Sequence, residues 1–225
     1  MNNPHLRSIQ VGVPQQYGNA AAVEPFGQAW TSGIDKTPVS DAIWLGKTNL
    51  EGDRQADQIN HGGPDKAVCV YSADHYPYWR EALGRPDLAF GAFGENFTVD
   101  GLAESGTCIG DIWRVGEAIV QVSQPRQPCW KLARRWRVEN IVMQIQGLGW
   151  TGWYVRVLHE GIVAAGQSLV LVERPHPAWT IERANRVMHH EKSDLAAARE
   201  LADLPQLSAS WQQSLARRGA LGDRT

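Results

Sequence analysis

Short alternating runs of apolar and polar residues dominate the chain before about residue 175. Such alternation is typical of strands with one buried face. Turn-forming Gly, Pro, Asn and Asp residues separate the runs, and strands outnumber helices. The spacing therefore predicts a closed or nearly closed β-barrel, mainly β with some α. Its predicted strands cover residues 9–13, 67–71, 97–99, 112–115, 118–122 and 168–172.

Helical patterns interrupt the barrel at three places. Ser72 is the expected cap of a short helix, although Pro77 is unfavourable in its middle. Pro128 is expected to start a second helix that continues through residue 136. A third helix, ending near Gly147, is predicted because apolar residues recur at i, i+3, i+4 and i+7: Val138, Ile141, Val142 and Ile145.

The Pro-His-Pro sequence at 175–177 marks a change to helical patterns. It suggests a barrel domain of residues 1–175 and a three-helix domain of residues 176–225. Ser193 is the expected cap of the second of these helices, and Gly219 the expected end of the third. So small a bundle buries little apolar surface, so it should pack on the barrel or on a second subunit. The predicted helices are 181–190, 195–204 and 208–218.

The composition fits an ordinary globular protein of 225 residues, with 43% apolar and 20% charged residues. The net charge of -2 is spread along the chain, which argues against nucleic acid as a partner. There is no apolar run of membrane-spanning length, and the first twelve residues have no apolar leader segment. We therefore expect a cytoplasmic protein. The ten tryptophans make a homodimer plausible, because such residues favour cores and interfaces.

Three widely spaced cysteines indicate reduced thiols rather than disulfides. Cys69 lies in an apolar strand and is expected to be a core residue, and Cys108 has no basic neighbours. A zinc site that adds His61 to the cysteines lacks the close ligand pairs typical of structural zinc.

Cys129 is the cysteine with the most reactive setting. It lies between a strand and a predicted helix start, close in sequence to Arg126 and Lys131. A helix start and nearby cations both favour the thiolate, which is the form that binds metals or attacks substrates. On residue chemistry alone, a reactive thiol and an inert buried cysteine remain equally good interpretations.

Residues 50–66 form a long polar segment between predicted strands. Gly62 and Gly63 let the backbone approach a ligand closely, and Arg54, His61 and Lys66 can meet a phosphate or a polar heterocycle. A solvated loop is the alternative. The segment has no phosphate-binding-loop or dinucleotide fingerprint.

Phe93-Gly94-Glu95-Asn96-Phe97 is a second polar segment, at the entrance of a predicted strand. Glu95 and Asn96 can read donors and acceptors on a ring edge, since an amide offers both. An asparagine-containing turn explains the same residues equally well.

Taken together, three motifs resemble the YiiM-type branch of the MOSC family, the domain found at the C-terminus of molybdenum cofactor sulfurases. The motifs are Leu50-Glu51-Gly52-Asp53 leading to His61-Gly62-Gly63-Pro64-Asp65-Lys66, then Phe93-Gly94-Glu95-Asn96, then Gln124-Pro125-Arg126-Gln127-Pro128-Cys129. The resemblance covers about residues 5–220, and it includes the three helices after Pro177. It implies a β-barrel that holds a molybdopterin-type cofactor, with Cys129 as the thiolate ligand of molybdenum.

The resemblance also implies a reductase of N-hydroxylated compounds, such as 6-hydroxylaminopurine. The expected chemistry is transfer of the hydroxylamine oxygen to the reduced metal, with His61 or Glu95 as proton donor. Electrons should come from a separate reductase, because the chain has no flavin or iron–sulfur pattern. The residues expected to bind the cofactor are Gly62, Gly63, Lys66, Asn96, Arg126 and Lys131.

Three other functions remain open from sequence. A non-redox carrier of the cofactor or its sulfur would use the same barrel and Cys129. A metal-free, cysteine-dependent transferase would need the thiol alone. A purely structural interaction module is disfavoured by the polar, glycine-rich motifs.

Overall fold

The computed structural model describes the backbone of residues 4–222 and the side chains of residues 4–218. The strands of this part are β1 (His5–Val11), β2 (Gln15–Tyr17), β3 (Trp30–Ser32), β4 (Thr37–Pro38), β5 (Ile43–Leu45), β6 (Val68–Ser72), β7 (Phe97–Asp100), β8 (Ile112–Val115), β9 (Ala118–Pro125), β10 (Trp153–His159), β11 (Gly161–Val163) and β12 (Leu169–Glu173). The helices are α1 (Tyr76–Ala82), α2 (Lys131–Trp136), α3 (Ile141–Leu148), α4 (Ile181–His189), α5 (Leu195–Ala202) and α6 (Ala209–Gly222).

One eight-stranded sheet forms the barrel, in the order β12-β8-β9-β10-β6-β7-β1-β4. Neighbours are antiparallel except β6 and β7, which run parallel. The sheet curls until β1 meets the chain entering β12, where Leu6 N–H donates to Gln167 O at 2.8 Å and Gly166 N–H donates to Leu6 O at 2.7 Å. The predicted barrel with peripheral helices is confirmed.

Strand β10 is central in the sheet, between β9 and β6, yet the pattern of apolar residues did not predict it. Trp153, Tyr154 and Val155 are all buried, so the strand begins without apolar–polar alternation. A strand covered on both faces loses the periodicity by which strands are recognised. The short strands β2 to β5 were not predicted either.

The early helices differ from prediction at their starts. Ser72 does act as a cap, since its Oγ accepts from Asp74 N–H at 3.3 Å. The helix that it caps is a one-turn 3₁₀ helix, which precedes α1. Pro77 then falls in the first turn of α1, where the missing N–H costs nothing. The prediction that Pro128 starts a helix is wrong, because α2 begins at Lys131 and has six residues.

The C-terminal helices pack on the barrel. Trp179, Val187, Trp211 and Leu215 are buried in the same apolar cluster as the inward residues of the barrel strands, Val122 among them. One continuous core therefore serves both parts. The described residues include no helix that is both long and apolar enough to cross a membrane.

Two predicted helix boundaries in this region were wrong. The backbone of α6 stays helical beyond Gly219 to Gly222. The cap of α5 is Asp194 rather than Ser193, because Asp194 Oδ1 accepts from Ala197 N–H at 2.9 Å.

Asp194→Ala should therefore destabilise the protein by about 1 kcal/mol, because it leaves an amide at the start of α5 without its side-chain acceptor. In a chain of this size that lowers the thermal midpoint by about 2–4 °C. Ser193→Ala is the matched control and should change it by less than about 1 °C, since Ser193 provides no side-chain cap. Equal effects of the two substitutions in thermal unfolding would contradict the assignment.

A second apolar cluster holds the remaining helices beside one end of the barrel. It joins Trp79 of α1, Leu132 of α2 and Ile141 of α3 to Tyr71 of β6 and to Phe93. Leu132 is fully buried only three residues after Cys129, so this packing fixes where the cysteine-bearing loop lies.

Candidate active site

One cavity of about 70 Å³ lies where β3, β6 and β10 meet four loops. The loops are those before β4, before β6, before β7 and between β9 and α2. The cavity thus brings together residues that are far apart in the sequence. They include Lys36, Arg54, Asp57, His61, Lys66, Cys69, Asn96, Arg126, Cys129, Lys131 and Tyr154.

Cys129 lies at this cavity as a half-buried free thiol. Since α2 starts at Lys131 and is short, Cys129 precedes the helix rather than occupying its first turn. The predicted position of Cys129 at a helix start is therefore wrong. Arg126 and Lys131 line the same cavity as Cys129.

Arg126 is held rigidly beside Cys129. Its side chain is buried and donates to Phe93 O, while its backbone N–H donates to Gly152 O at 3.0 Å. Burial opposes its charge, but the surrounding Cys69, Tyr154, Cys129 and Glu95 outweigh burial and raise the pKa of Arg126 above its usual value. A permanent, buried positive charge therefore faces the thiol.

Tyr154 and Cys69 form a neutral wall of the cavity. The sheet register places Tyr154 on β10 opposite Cys69 on β6. Burial is the main reason why the pKa of the phenol and the pKa of the Cys69 thiol are both raised, so both stay protonated at neutral pH. The prediction that Cys69 is buried is confirmed, but the residue also lines the cavity.

The loop before β6 is organised by Asp57. Its Oδ1 accepts from Ile59 N–H at 3.1 Å and from Asn60 N–H at 2.9 Å, and its Oδ2 accepts from the Asn60 amide at 2.8 Å. The hydrogen bonds from Asn60 lower the pKa of Asp57 to about 2. Lys66 Nζ closes the loop by donating to Asn60 O at 2.7 Å.

His61 faces the cavity as a neutral imidazole. Burial, followed by the charge of Lys131, lowers its pKa, and only the nearby Asp57, whose Oδ2 is 3.4 Å from Nδ1, opposes the shift. A neutral imidazole carries both a donor and an acceptor, so it can relay a proton.

This shift predicts how stability depends on pH. A histidine whose pKa is lower in the folded state favours the neutral form, so wild-type stability should fall as pH drops below the unfolded pKa of about 6.5. His189 has the same direction of shift, again mainly from burial. His61→Gln should therefore reduce, but not abolish, the loss of unfolding free energy between pH 7.5 and 5.5 in urea titrations. Parallel wild-type and variant curves would contradict the assignment.

Lys36 and Asp53 form a buried ion pair that sequence reasoning missed. Asp53 also accepts from Gly12 N–H at 2.9 Å and from the Gln55 amide at 3.1 Å. The pair fixes the segment that carries Arg54 into the cavity. No local sequence pattern predicts the pair, because its two residues are 17 positions apart in the chain.

The side chains that line the cavity are mainly cationic, so the cavity suits an anion. Lys36, Arg54, Lys66, Arg126 and Lys131 line it, against Asp57 as its carboxylate. Within the described part of the chain, only Lys36 of these cations has a carboxylate within ion-pair distance. Unneutralised cations around a concave space are typical of phosphate sites. Together with a half-buried thiol, they fit a phosphate-bearing cofactor that has a thiolate-binding metal.

The metal would take a single protein ligand from this chain. Residues 4–218 contain no group of three or more His, Cys, Asp or Glu side chains that could hold a metal ion by themselves. A metal bound through Cys129 would therefore have to bring further ligands with it.

Three of the residues predicted for the site lie outside the cavity walls. Glu95 is fully buried behind them: its oxygens accept from Gly91 N–H at 2.7 Å, Phe93 N–H at 3.1 Å and Thr98 Oγ1 at 3.0 Å, and also from the Tyr76 hydroxyl. Glu95 therefore stabilises the loop before β7 through these hydrogen bonds. Gly62 and Gly63 lie in the loop before β6 without lining the cavity.

Asn96 lines the cavity, but its amide is occupied by backbone groups. Its Oδ1 accepts from Cys69 N–H at 3.2 Å, and its Nδ2 donates to Gln10 O at 3.2 Å. Asn96 therefore links β6 to β1 and gives the wall its shape. The sequence predicts that Asn96 contacts the cofactor, and this stays a prediction: Asn96 lines the cavity, while each of its amide atoms also bonds a backbone group.

A buried histidine–carboxylate pair supports the wall from behind. His75 Nε2 is 2.7 Å from Glu104 Oε2, and Glu104 Oε1 accepts from Gly152 N–H at 2.8 Å. The His75 ring stacks on Trp150, with centroids 4.3 Å apart. Gly152 in turn accepts from Arg126, so the pair positions the buried cation of the site.

Comparison with known proteins gives two family matches along the chain. The family model described as MOSC domain matches residues 57–170, and that described as YiiM-like, 3-alpha helix domain matches residues 179–218. The chain is similar to the crystal structure of YiiM from Geobacillus stearothermophilus, with a TM-score of 0.80 and 40% identity over 96% of this chain and 99% of that one.

Three curated relatives are also similar in sequence. The uncharacterized protein YflK of Bacillus subtilis is 48% identical, over 92% of this chain and 90% of that protein. Protein YiiM of Escherichia coli is 38% identical, over 89% and 90%. A protein named reductase from Gibberella moniliformis is 36% identical over 80% of this chain, which corresponds to 32% of that longer protein.

Proposed function

Since the chain belongs to the MOSC family and carries a YiiM-like three-helix domain, we propose that it is a molybdenum-cofactor-dependent reductase of N-hydroxylated compounds. N-hydroxylated purines such as 6-hydroxylaminopurine are the proposed substrates. The observation that carries the proposal is the cavity itself, in which the Cys129 thiol faces several cations without carboxylate partners. A relative named a reductase supports the redox class.

Cys129 would hold the metal through its thiolate, a soft ligand suited to redox metals. Arg126, Lys66 and Lys131 would neutralise the phosphate of the pterin, and the Tyr154 phenol offers a neutral donor beside them. When bound, a molybdenum cofactor supplies the two-electron chemistry needed to convert an N-hydroxyl group to an amine and water. The protein's part is to fix this group and to exclude water from it.

His61 is the proposed proton carrier, because it lines the cavity and its lowered pKa keeps it neutral at pH 7. A neutral imidazole that receives protons from solvent can pass them to the leaving oxygen. Glu95 is the weaker candidate, since its oxygens are already bonded within the fold. Electrons would come from a separate reductase that docks at the open side of the site.

The decisive experiment is turnover by the purified, cofactor-loaded protein with an artificial reductant. We expect conversion of 6-hydroxylaminopurine to adenine, and no conversion by the same protein before loading. Stable cofactor binding without turnover would favour the carrier function. Turnover by protein in which elemental analysis finds no molybdenum would favour a cysteine-dependent transferase.

A further inference from the structure

A chain of buried hydrogen bonds joins helix α4 of the three-helix segment to Arg126. Asn185 of α4 donates from Nδ2 to Thr151 Oγ1 at 2.7 Å, and Thr151 Oγ1 donates to Gly152 O at 2.9 Å. The same Gly152 O accepts from the backbone N–H of Arg126 at 3.0 Å. Thr151 is 1% exposed and Asn185 is 4% exposed, so both bonds of this chain are shielded from solvent. Only two residues therefore separate α4 from the buried cation of the site.

A second connection runs from α4 to the same glycine. The N–H of Glu182, in the first turn of α4, donates to Glu104 O at 3.1 Å, and Glu104 Oε1 accepts from Gly152 N–H at 2.8 Å. Both backbone polar groups of Gly152 are therefore connected to α4. Strand β6 closes another side of this glycine, because an added Cβ would lie 2.4 Å from Val70 O. Gly152 thus has little room to move independently of α4.

Asn185 is a costly residue to bury in this position. Its Oδ1 is buried and has no hydrogen-bond partner among the described residues, so its amide is only partly satisfied. An unsatisfied buried polar atom destabilises the folded state, and an apolar side chain of similar size would avoid that cost. Stability of the fold alone therefore does not explain an amide here. The bond that the amide makes, to Thr151, indicates a role in placing the loop between α3 and β10.

The hydrogen-bond chain crosses from one matched family region to the other. Arg126, Thr151 and Gly152 lie in the region matched by the MOSC domain, whereas Asn185 lies in the region matched by the three-helix domain. Buried polar networks of this kind fix the relative position of the elements that they join. A shift of α4 would therefore reach the backbone of Arg126, and with it the charge that faces Cys129.

We propose that α4 sets the position of Arg126 in the cavity, with Asn185 and Thr151 as positioning residues. The three-helix segment then serves the site as well as the apolar core. This role rests on the proposed function only for the identity of the anionic ligand that Arg126 meets.

Alkylation of Cys129 in the cofactor-free protein reports where the Arg126 charge lies. Iodoacetate is an anion and iodoacetamide is neutral, but both react with the same thiolate. The ratio of their rates therefore cancels the thiolate fraction and reports the local electrostatic field. Mass spectrometry of the Cys129 peptide separates its modification from that of the buried Cys69 and Cys108. Arg126→Gln is the reference variant and should lower the iodoacetate-to-iodoacetamide ratio by about fivefold, the effect of one nearby unit charge in water.

Two nearly isosteric substitutions interrupt the hydrogen-bond chain. Thr151→Val removes the hydroxyl and Asn185→Leu removes the amide, and each should lower the ratio by at least about twofold, because a displaced charge attracts the anion less. Thr151→Ser keeps the hydroxyl and should retain the wild-type ratio. Asp194→Ala is the control for stability, since it weakens the cap of α5 and leaves the chain intact. Its ratio should equal that of the wild type.

A ratio that falls in Arg126→Gln but stays at the wild-type value in both Thr151→Val and Asn185→Leu would overturn the positioning role. An equal fall in Asp194→Ala would also overturn it, because loss of stability alone would then explain the result. The rates are measured without cofactor, so they are independent of turnover. Failure of loaded wild-type protein to reduce 6-hydroxylaminopurine would overturn the proposed function, whereas the expected ratios would still support the role of α4.

Discussion

Cys129→Ala should lower kcat/KM for 6-hydroxylaminopurine by more than about a hundredfold. Loss of a residue that merely supports a metal ligand costs about 10–100-fold, so loss of the ligand itself should cost more. The substitution removes the half-buried thiol that faces Arg126 and Lys131, and leaves the cations in place. The protein should therefore still attract the cofactor phosphate but hold its metal poorly.

Molybdenum content after gel filtration gives a readout that does not depend on activity. The metal-to-protein ratio should fall in Cys129→Ala, while the thermal midpoint of the cofactor-free protein stays close to that of the wild type. Retention of metal together with full activity would contradict the ligand assignment.

Cys108→Ala is the matched control for this experiment. Cys108 is buried away from the cavity, with its Sγ 3.6 Å from Pro177 O, so activity should remain within about twofold of the wild type. Cys69→Ala should also keep most of the activity, but Cys69 lines the cavity and is a less independent control. Equal loss in all three variants would undo the special role of Cys129.

Gly152→Ala should destabilise the protein by about 3 kcal/mol. Gly152 has φ +73°, which costs a side-chain-bearing residue about 1–2 kcal/mol, and the overpacking adds about 1–3 kcal/mol. An added Cβ would lie 2.4 Å from Val70 O and 3.0 Å from the Tyr71 ring, so β6 would have to move. At about 2–4 °C for each kcal/mol, the thermal midpoint should fall by roughly 10 °C.

The effect should extend to the site, because Gly152 O accepts from Arg126 and Gly152 N–H donates to Glu104. We expect cofactor affinity to fall together with stability. Gly147→Ala provides the opposite control. Gly147 is exposed in α3 and an added Cβ meets nothing within 4 Å, so this variant should gain up to about 1 kcal/mol. If Gly152→Ala unfolds at the wild-type temperature, the predicted clash between the added Cβ and Val70 O is wrong.

Strands were predictable where apolar residues recur at every second position, because that periodicity is a local property. In β9, Ala118, Val120 and Val122 recur in this way and the strand was predicted there, although the structure buries residues on both of its faces. β10 was not predicted, since its first residues carry no alternation. The helix start at Pro128 also failed, because proline tolerates a first helical turn without requiring one.

The site, like the fold, was predictable in part from the sequence. The three motifs and their order led to the MOSC family, to the cavity residues His61, Lys66, Arg126, Lys131 and Cys129, and to a molybdenum cofactor as the group they would bind. Glu95, Gly62 and Gly63 come from the same motifs but lie outside the cavity walls. A sequence motif identifies a loop near the site. Which side chains of that loop face the cavity depends on how the loop packs in the folded protein.

By itself, the sequence determined the barrel class and the helical C-terminal segment, since both rest on local periodicity. It also singled out Cys129 as the expected metal ligand, through a contiguous motif that resembles the family's. The tertiary structure alone decided that Lys36 and Tyr154 join that cysteine at one cavity. The reason is physical. Charges and aromatic rings act over a few ångströms, and folding brings together residues that the sequence separates by dozens of positions.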